Sequence, residues 1–269
     1  MLGLNGNPKV KTIHAIQDLG QRLIDFFYMT GYSLILLGES IYFLKNVITQ
    51  RKEIAKQMYF AGVKSLFVVS VVALFTGMIL ALQAGIELRA FQQQALVGNL
   101  VIATLTREMG PFVTAIILIA AVGSAMAAEV ATMKVSEEID ALEVMSISPV
   151  RFLVMPRIVA LSIMLPMATV YTNLLGTLGG GIVARFQLDV TFSTYYSHVL
   201  DSLHFKATYV GLLKAFMFGV IISTISCANG LRATNGALGV GKATRDSVVA
   251  SFLMVLVVGY YITAIFYGK

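Results

Sequence analysis

TREMGPFVTAIILIAAVGSAMAAEVATMKVSEEIDALEVMSISPVRFLVMPR, residues 106–157, runs from an apolar span into a short acid-rich segment and on into a second apolar span. No residue from Met109 to Ala128 is charged. At 1.5 Å of helical rise per residue this length covers a hydrocarbon core of about 30 Å, so it reads as a membrane helix. Residues 136–148 are too polar to span. They suit a short helix: Ser136 stands at the N-cap position, Glu137 and Glu138 fill the first turn where the helix dipole favours acids, and Pro149 forbids continuation. Val135, Ile139 and Leu142 fall on one face, and Glu137 and Asp140 on the other. Such a helix lies against apolar surface and shows its acids to water or to a partner.

In this stretch the chain resembles the permease subunits of the MlaE family of ATP-binding-cassette lipid transporters. The likeness rests on Arg107-Glu108-Met109-Gly110-Pro111, on Gly123-Ser124-Ala125-Met126-Ala127-Ala128-Glu129, and on Glu137-Glu138-Ile139-Asp140-Ala141-Leu142-Glu143 followed by Ser148-Pro149. Where the family usually carries Gly-Arg before Val-Gly-Ser, this chain has Ala120-Ala121. The resemblance implies an all-α polytopic protein with an N-terminal interfacial helix, five transmembrane helices, and a short cytoplasmic coupling helix between spans 2 and 3. It implies that Glu137, Glu138, Ile139, Asp140, Leu142 and Glu143 dock on a separate cytoplasmic ATPase dimer, which binds the ATP, so that this chain needs no cofactor of its own. It further implies a homodimer, a phospholipid or similar lipid as cargo, a periplasmic partner with an MCE domain, and a place in a bacterial inner membrane.

Composition agrees with a membrane protein. Of the residues 57% are hydrophobic and 13% charged, against about 25% charged in soluble domains. The first twenty residues contain Lys9, Lys11, His14, Gln17 and Asp18 and no apolar core of a signal peptide, which keeps the N-terminus in the cytoplasm. Spans are expected at about 65–86, 100–128, 152–184, 207–228 and 247–266. Residues 1–60 then form an N-terminal cytoplasmic and interfacial region, and 61–269 the permease domain. Within the first region Ile16, Leu19, Leu23 and Phe27 make an amphipathic stripe that merges into an apolar run interrupted by Glu39, which suits an interfacial helix better than a sixth span. Arg51, Lys52, Lys56 and Lys64 flank the first span, and Arg232, Lys242 and Arg245 the loop before the last. Both sets read as positive-inside anchors, not as a nucleic-acid surface.

Four spans repeat small residues every fourth position: Ala73, Gly77, Ala81 and Gly85; Ala120, Ser124 and Ala128; Gly176, Gly180 and Ala184; Gly211, Ala215, Gly219, Ser223 and Cys227. These allow close helix approach inside the bundle or across a dimer. Cys227, the single cysteine, reads as a packing residue. Residues 185–206 form an outer loop or short helix, in which His198 and His204 have no metal-ligand spacing. Gly236–Ala243 matches the first seven positions of a phosphate-binding loop, but Ala243 stands where the magnesium-binding hydroxyl is required, so the segment reads as a glycine-rich turn.

Arg107 and Glu108 are the informative charges, because a charge inside or at the end of an apolar span is expensive unless paired or hydrated. Pro111 removes a helix hydrogen bond just beyond them. The resemblance places a lipid pocket here, with Leu105, Arg107, Glu108 and Met109 as its candidate residues; the plainer reading makes the pair an interface marker. No arrangement for catalysis or metal binding is visible, and a self-contained secondary transporter or channel, which would call for matching broken helices or several intramembrane acids, is the rival class.

Overall fold

The computed structural model describes residues 28–268, together with Gly20 and Ile24. The stripe Ile16, Leu19, Leu23 and Phe27 lies outside these. The described residues form helices joined by short turns, without a strand: α1 (28–42), α2 (Arg51–Gly62), α3 (Leu66–Arg89), α4 (Gln94–Val135), α5 (Glu138–Val144), α6 (Val150–Gln187), α7 (Phe192–Asp201), α8 (Phe205–Leu231) and α9 (Gly236–Tyr267). Five of them, α3, α4, α6, α8 and α9, are long and apolar enough to cross a membrane, and they are spans 1 to 5 below.

Span 3 is the axis of the bundle, with span 1 packed along one side and span 4 along the other; span 5 leans on span 4 and on the second half of span 2. Spans 1 and 5 are peripheral, only 22% and 11% buried along their apolar windows, against 61% for spans 3 and 4. The small-residue stripes explain how the central helices come so close. Ala73, Gly77, Ala81 and Gly85 are all buried, and a Cβ at Gly77 would run into the Gly176 carbonyl of span 3. Gly219 sits against the Leu161 carbonyl in the same way, and Cys227 packs with Leu36, Val154, Ile158 and Ala228. Three of the four stripes thus serve packing within the chain. Ala120, Ser124 and Ala128 do not: Ala120 and the adjacent Ala121 are exposed, and the other two only partly covered.

Hydroxyls join the helices where carbon alone would give no preference in lipid. Thr114 of span 2 donates to Thr172 of span 3 at 2.8 Å, and Ser247 of span 5 to Ser226 of span 4 at 3.0 Å. Outside the spans, α7 begins at Thr191, whose hydroxyl accepts from the Thr194 amide, and buries Tyr195, which donates to the Thr177 carbonyl at 3.1 Å.

Span 2 runs over Gln94–Val135, beyond both ends of the expected 100–128, and two further points differ from the sequence reading. Span 5 starts at Gly236 and not near 247, so the supposed glycine-rich turn is the first two turns of the helix; Asn235 and Gly236, with φ of 65° and 64°, make the turn instead. Residues 51–62, placed from sequence at the basic end of the N-terminal interfacial region, form the separate helix α2, which packs on span 3.

Replacing Gly77 by Val should lower the thermal unfolding midpoint of the detergent-solubilised protein by the equivalent of about 2 kcal/mol or more, since a backbone carbonyl cannot move aside as a side chain can. Gly241→Ala, where a Cβ meets open space, is the control and should leave the midpoint where it is or raise it. Equal midpoints for Gly77→Val and wild type would contradict the packing described.

Candidate functional site

Span 2 is not a regular helix. Leu105–Met109 and Ile119–Gly123 are π-helical turns, in which the chain carries one extra residue and some carbonyls lose their usual donors. At the first, the Gly110 amide reaches back to the Leu105 carbonyl. The next residue, Pro111, has no amide hydrogen to offer the Arg107 carbonyl.

That carbonyl is taken by Lys214 of span 4, whose Nζ donates to Arg107 O at 2.9 Å, to Glu108 Oε1 at 2.6 Å and to Thr263 Oγ1 of span 5 at 2.7 Å. All three ammonium hydrogens are used. The Thr263 hydroxyl lies 2.8 Å from Glu108 Oε1 and 2.9 Å from the Gly259 carbonyl of its own helix. Three spans therefore meet at one charged point. Span 4 gets close enough because Gly211, one turn before Lys214, has no Cβ to strike the Thr106 carbonyl of the bulge.

The cluster is open on one side. The Lys214 side chain is 1% exposed, whereas that of Glu108 is 44% exposed. Arg107 points outward, its guanidinium 5.1 Å from the centre of the Tyr267 ring, a cation–π arrangement; Lys206 approaches the same ring at 5.3 Å. The four residues marked from sequence at this site do not gather in one pocket. Leu105 is fully buried against span 3 and span 1, as its contact with the position of Gly176 requires, and Met109 packs on the same core. Only Arg107 and Glu108 face outward or into the polar cluster, and they go separate ways.

Lys214 and Thr263 were not marked from sequence. The signal for Lys214 was there: it is a lysine in the middle of the apolar run 205–231, where an ionisable residue needs a partner. Thr263 carried no signal, since a threonine in a span most often bonds to its own helix.

At the opposite end of span 2 lies α5. Its N-cap is Glu137, in the left-handed conformation with φ of 59°, rather than Ser136, whose hydroxyl bonds to the Thr132 carbonyl and to Glu138. Ile139 is buried with Val130 and Leu153, and Leu142 packs on the same group, so these two anchor α5 to the bundle and turn away from any partner. Val135 packs elsewhere, with Ala131, Ala233, Ala243 and Val240. Lys134 holds Asp140 at 2.5 Å. The outward face carries Glu137, Glu138 and Glu143, with Val144 and Met145 beside them, 86% and 61% exposed.

The profile of the Permease MlaE family matches residues 54–265. The chain belongs to the MlaE permease family. Its relatives include a probable ABC transporter permease protein of Rickettsia conorii, 38% identical over 93% of this chain and 96% of that one. A second is the intermembrane phospholipid transport system permease protein MlaE of Haemophilus influenzae, 32% identical over 95% and 98%. A probable ABC transporter permease protein of Synechocystis is 31% identical over 93% and 92%. This MlaE-family chain is accordingly an ABC transporter permease, a multi-pass membrane transport subunit and not an enzyme.

Breaking the pair should cost more than deleting it. Lys214→Met leaves the Glu108 carboxylate and the Arg107 carbonyl without their donor, and should destabilise the purified protein by about 2 kcal/mol or more, toward the low end for buried pairs because Glu108 is partly open. Adding Glu108→Leu to Lys214→Met should recover the share of that loss owed to the unpaired carboxylate, but not the share owed to the Arg107 carbonyl, in a thermal unfolding measurement. A double variant as unstable as the sum of the two singles would show that the two groups are not coupled.

Proposed function

We propose that this permease carries phospholipid through a homodimeric cavity in a bacterial inner membrane, driven by a separate cytoplasmic ATPase dimer that grips α5. The observation that carries the lipid reading is the half-open cluster at the bulge of span 2. An amphiphile needs apolar walls for its acyl chains and a few fixed charges for its headgroup; Arg107 and Glu108 supply the charges at a place where the spans around them supply the walls. The Haemophilus relative is named for phospholipid transport, which supports the same cargo. On this reading Lys214 and Thr263 are positioning residues that hold the Glu108 carboxylate.

The uncovered face of Ala120, Ala121 and Ser124 supports the homodimer, since small residues left open on a span are suited to a second helix at close range. The acids and apolar residues on the outer face of α5 support ATPase docking: Val144 and Met145 give a small apolar centre and Glu137, Glu138 and Glu143 its charged rim. A periplasmic MCE-domain protein would exchange the lipid on the other side of the membrane. Nucleotide belongs to the ATPase. In this chain the amides of the sequence resembling a phosphate loop lie in the first turns of a continuous helix, Gly236–Tyr267, and do not form a cradle around an anion. A self-contained secondary transporter would need paired broken helices in corresponding halves, whereas two of the three π-helical turns among the described residues lie inside span 2 and the third, Val150–Val154, only opens span 3.

In the reconstituted complex, Glu138→Lys and Val144→Asp should each weaken ATPase capture by about ten-fold and lower lipid transport with it, while leaving the unfolding midpoint of the permease unchanged, because both side chains face outward. Normal ATPase binding and normal transport in both variants would remove α5 as the docking element. Lys242→Ala should leave ATP binding by the complex unaltered, and ATP binding by the purified permease alone would overturn the division of labour.

A further inference from the structure

At the α5 end of the bundle, well away from the Glu108 cluster, a cavity of about 560 Å³ opens between α2, the end of span 2 and the start of span 3. Its place is fixed by Met133 and Leu153, which line it and also pack on the group that holds Ile139 of α5. Its polar side carries Glu53, Lys56, Lys64, Glu129 and Arg157, and its apolar side includes Phe60 and Phe152.

The charges are not balanced. Arg157, 5% exposed, is bound to Glu129 at 3.1 Å and to the Leu153 carbonyl at 3.0 Å; its Nε is buried and unpartnered. Among the described residues Lys56 has only a 3.9 Å contact with Glu53, and the Lys64 ammonium rests over the Phe60 ring at 5.1 Å without a carboxylate. Three cations thus face two carboxylates, and the surplus is one positive charge, carried by side chains exposed at the mouth. Lys64 precedes by two residues the first residue of span 1, and α2 is a helix of mixed charge and apolar residues, so the cavity sits where a span leaves the bilayer.

We propose that this cavity binds the phosphodiester of a phospholipid from the leaflet on the α5 side, with the phosphate between Lys56 and Lys64 and the first acyl carbons along Phe60 and Phe152. The volume lies within the ordinary range for ligand sites, about 300–1,000 Å³, and one surplus cation matches the single negative charge of a phosphodiester. Glu53, 3.9 Å from Lys56, suits an ammonium headgroup, so phosphatidylethanolamine is expected to bind at least as well as phosphatidylglycerol. The inference rests on the family reading for the identity of the leaflet, and it gives this permease a second lipid site, at the far end of span 2 from the first.

The test uses the full-length chain in nanodiscs of phosphatidylethanolamine and phosphatidylglycerol, with a photoreactive residue at Phe60 and, in a separate sample, at Phe112, one turn from Glu108. Mass spectrometry should find phospholipid adducts at both positions. Lys56→Glu and Lys64→Glu should each lower the Phe60 yield by about five-fold, from the usual contribution of one lysine near a lipid surface, and leave the Phe112 yield unchanged. A Phe60 yield indifferent to both charge reversals overturns the proposal, as does displacement of the lipid by millimolar inorganic phosphate, which would make this a site for soluble anions. Adducts to the ATPase in place of lipid, once that subunit is added, overturn it as well. Loss of adducts at Phe112 alone would count against the central lipid cavity and not against this second site.

Discussion

The structure depends on one missing hydrogen bond. Pro111 cannot cap the carbonyl of Arg107, and the chain answers with a π-helical turn and with the ammonium of Lys214. An unsatisfied carbonyl in hydrocarbon costs several kcal/mol, so the lysine is held in place as firmly as it holds the bulge. Once there, it needs a counter-charge. Glu108 provides it, and Thr263 ties the last span to the same point. Removing the proline would leave the lysine with less to do, and removing the lysine would leave the bulge and the carboxylate both uncompensated.

The same constraint explains why the flanking residues are small. A lysine on span 4 can reach the bulge only if the helices nearly touch, and Gly211 permits that contact. Gly77 and Gly176 bring span 1 onto span 3, opposite, by the same means. A bundle so closely packed at its centre leaves little apolar surface buried on spans 1 and 5, which stay at the edge. The polar cluster therefore ties the peripheral span 5 to spans 2 and 4, with Glu108 left partly open.

Much of this was legible in the sequence. Five spans follow from long apolar lengths, two of them free of charge and three carrying one or two charged residues, and the acid-rich segment between spans 2 and 3 follows from Glu137, Glu138, Asp140 and Pro149. The outward and inward faces of that segment were readable from spacing alone, with Ile139 and Leu142 turned to the bundle. The start of span 5 was not: Gly236, Gly239 and Gly241 weigh against helix by propensity, and packing of Val240 and Ala243 on Ala131 and Ala233 overrides them. The site was half legible. Arg107 and Glu108 announce themselves as charges near a proline, and as neighbours on a helix they must point in different directions, yet nothing in the sequence says that one goes to Tyr267 and the other to Lys214. A partner more than a hundred residues away cannot be read from local pattern.

The central claim is that the charged bulge of span 2 is where lipid headgroups rest. A cryo-microscopy map of the permease with its ATPase in phospholipid nanodiscs tests this most directly. The account predicts headgroup density within hydrogen-bonding distance, about 3 Å, of the Arg107 guanidinium or the open oxygen of Glu108, with acyl density running along the spans beside it. A map in which the Glu108–Lys214 cluster is sealed by protein on every side, with lipid only at the outer rim of the bundle, would contradict it.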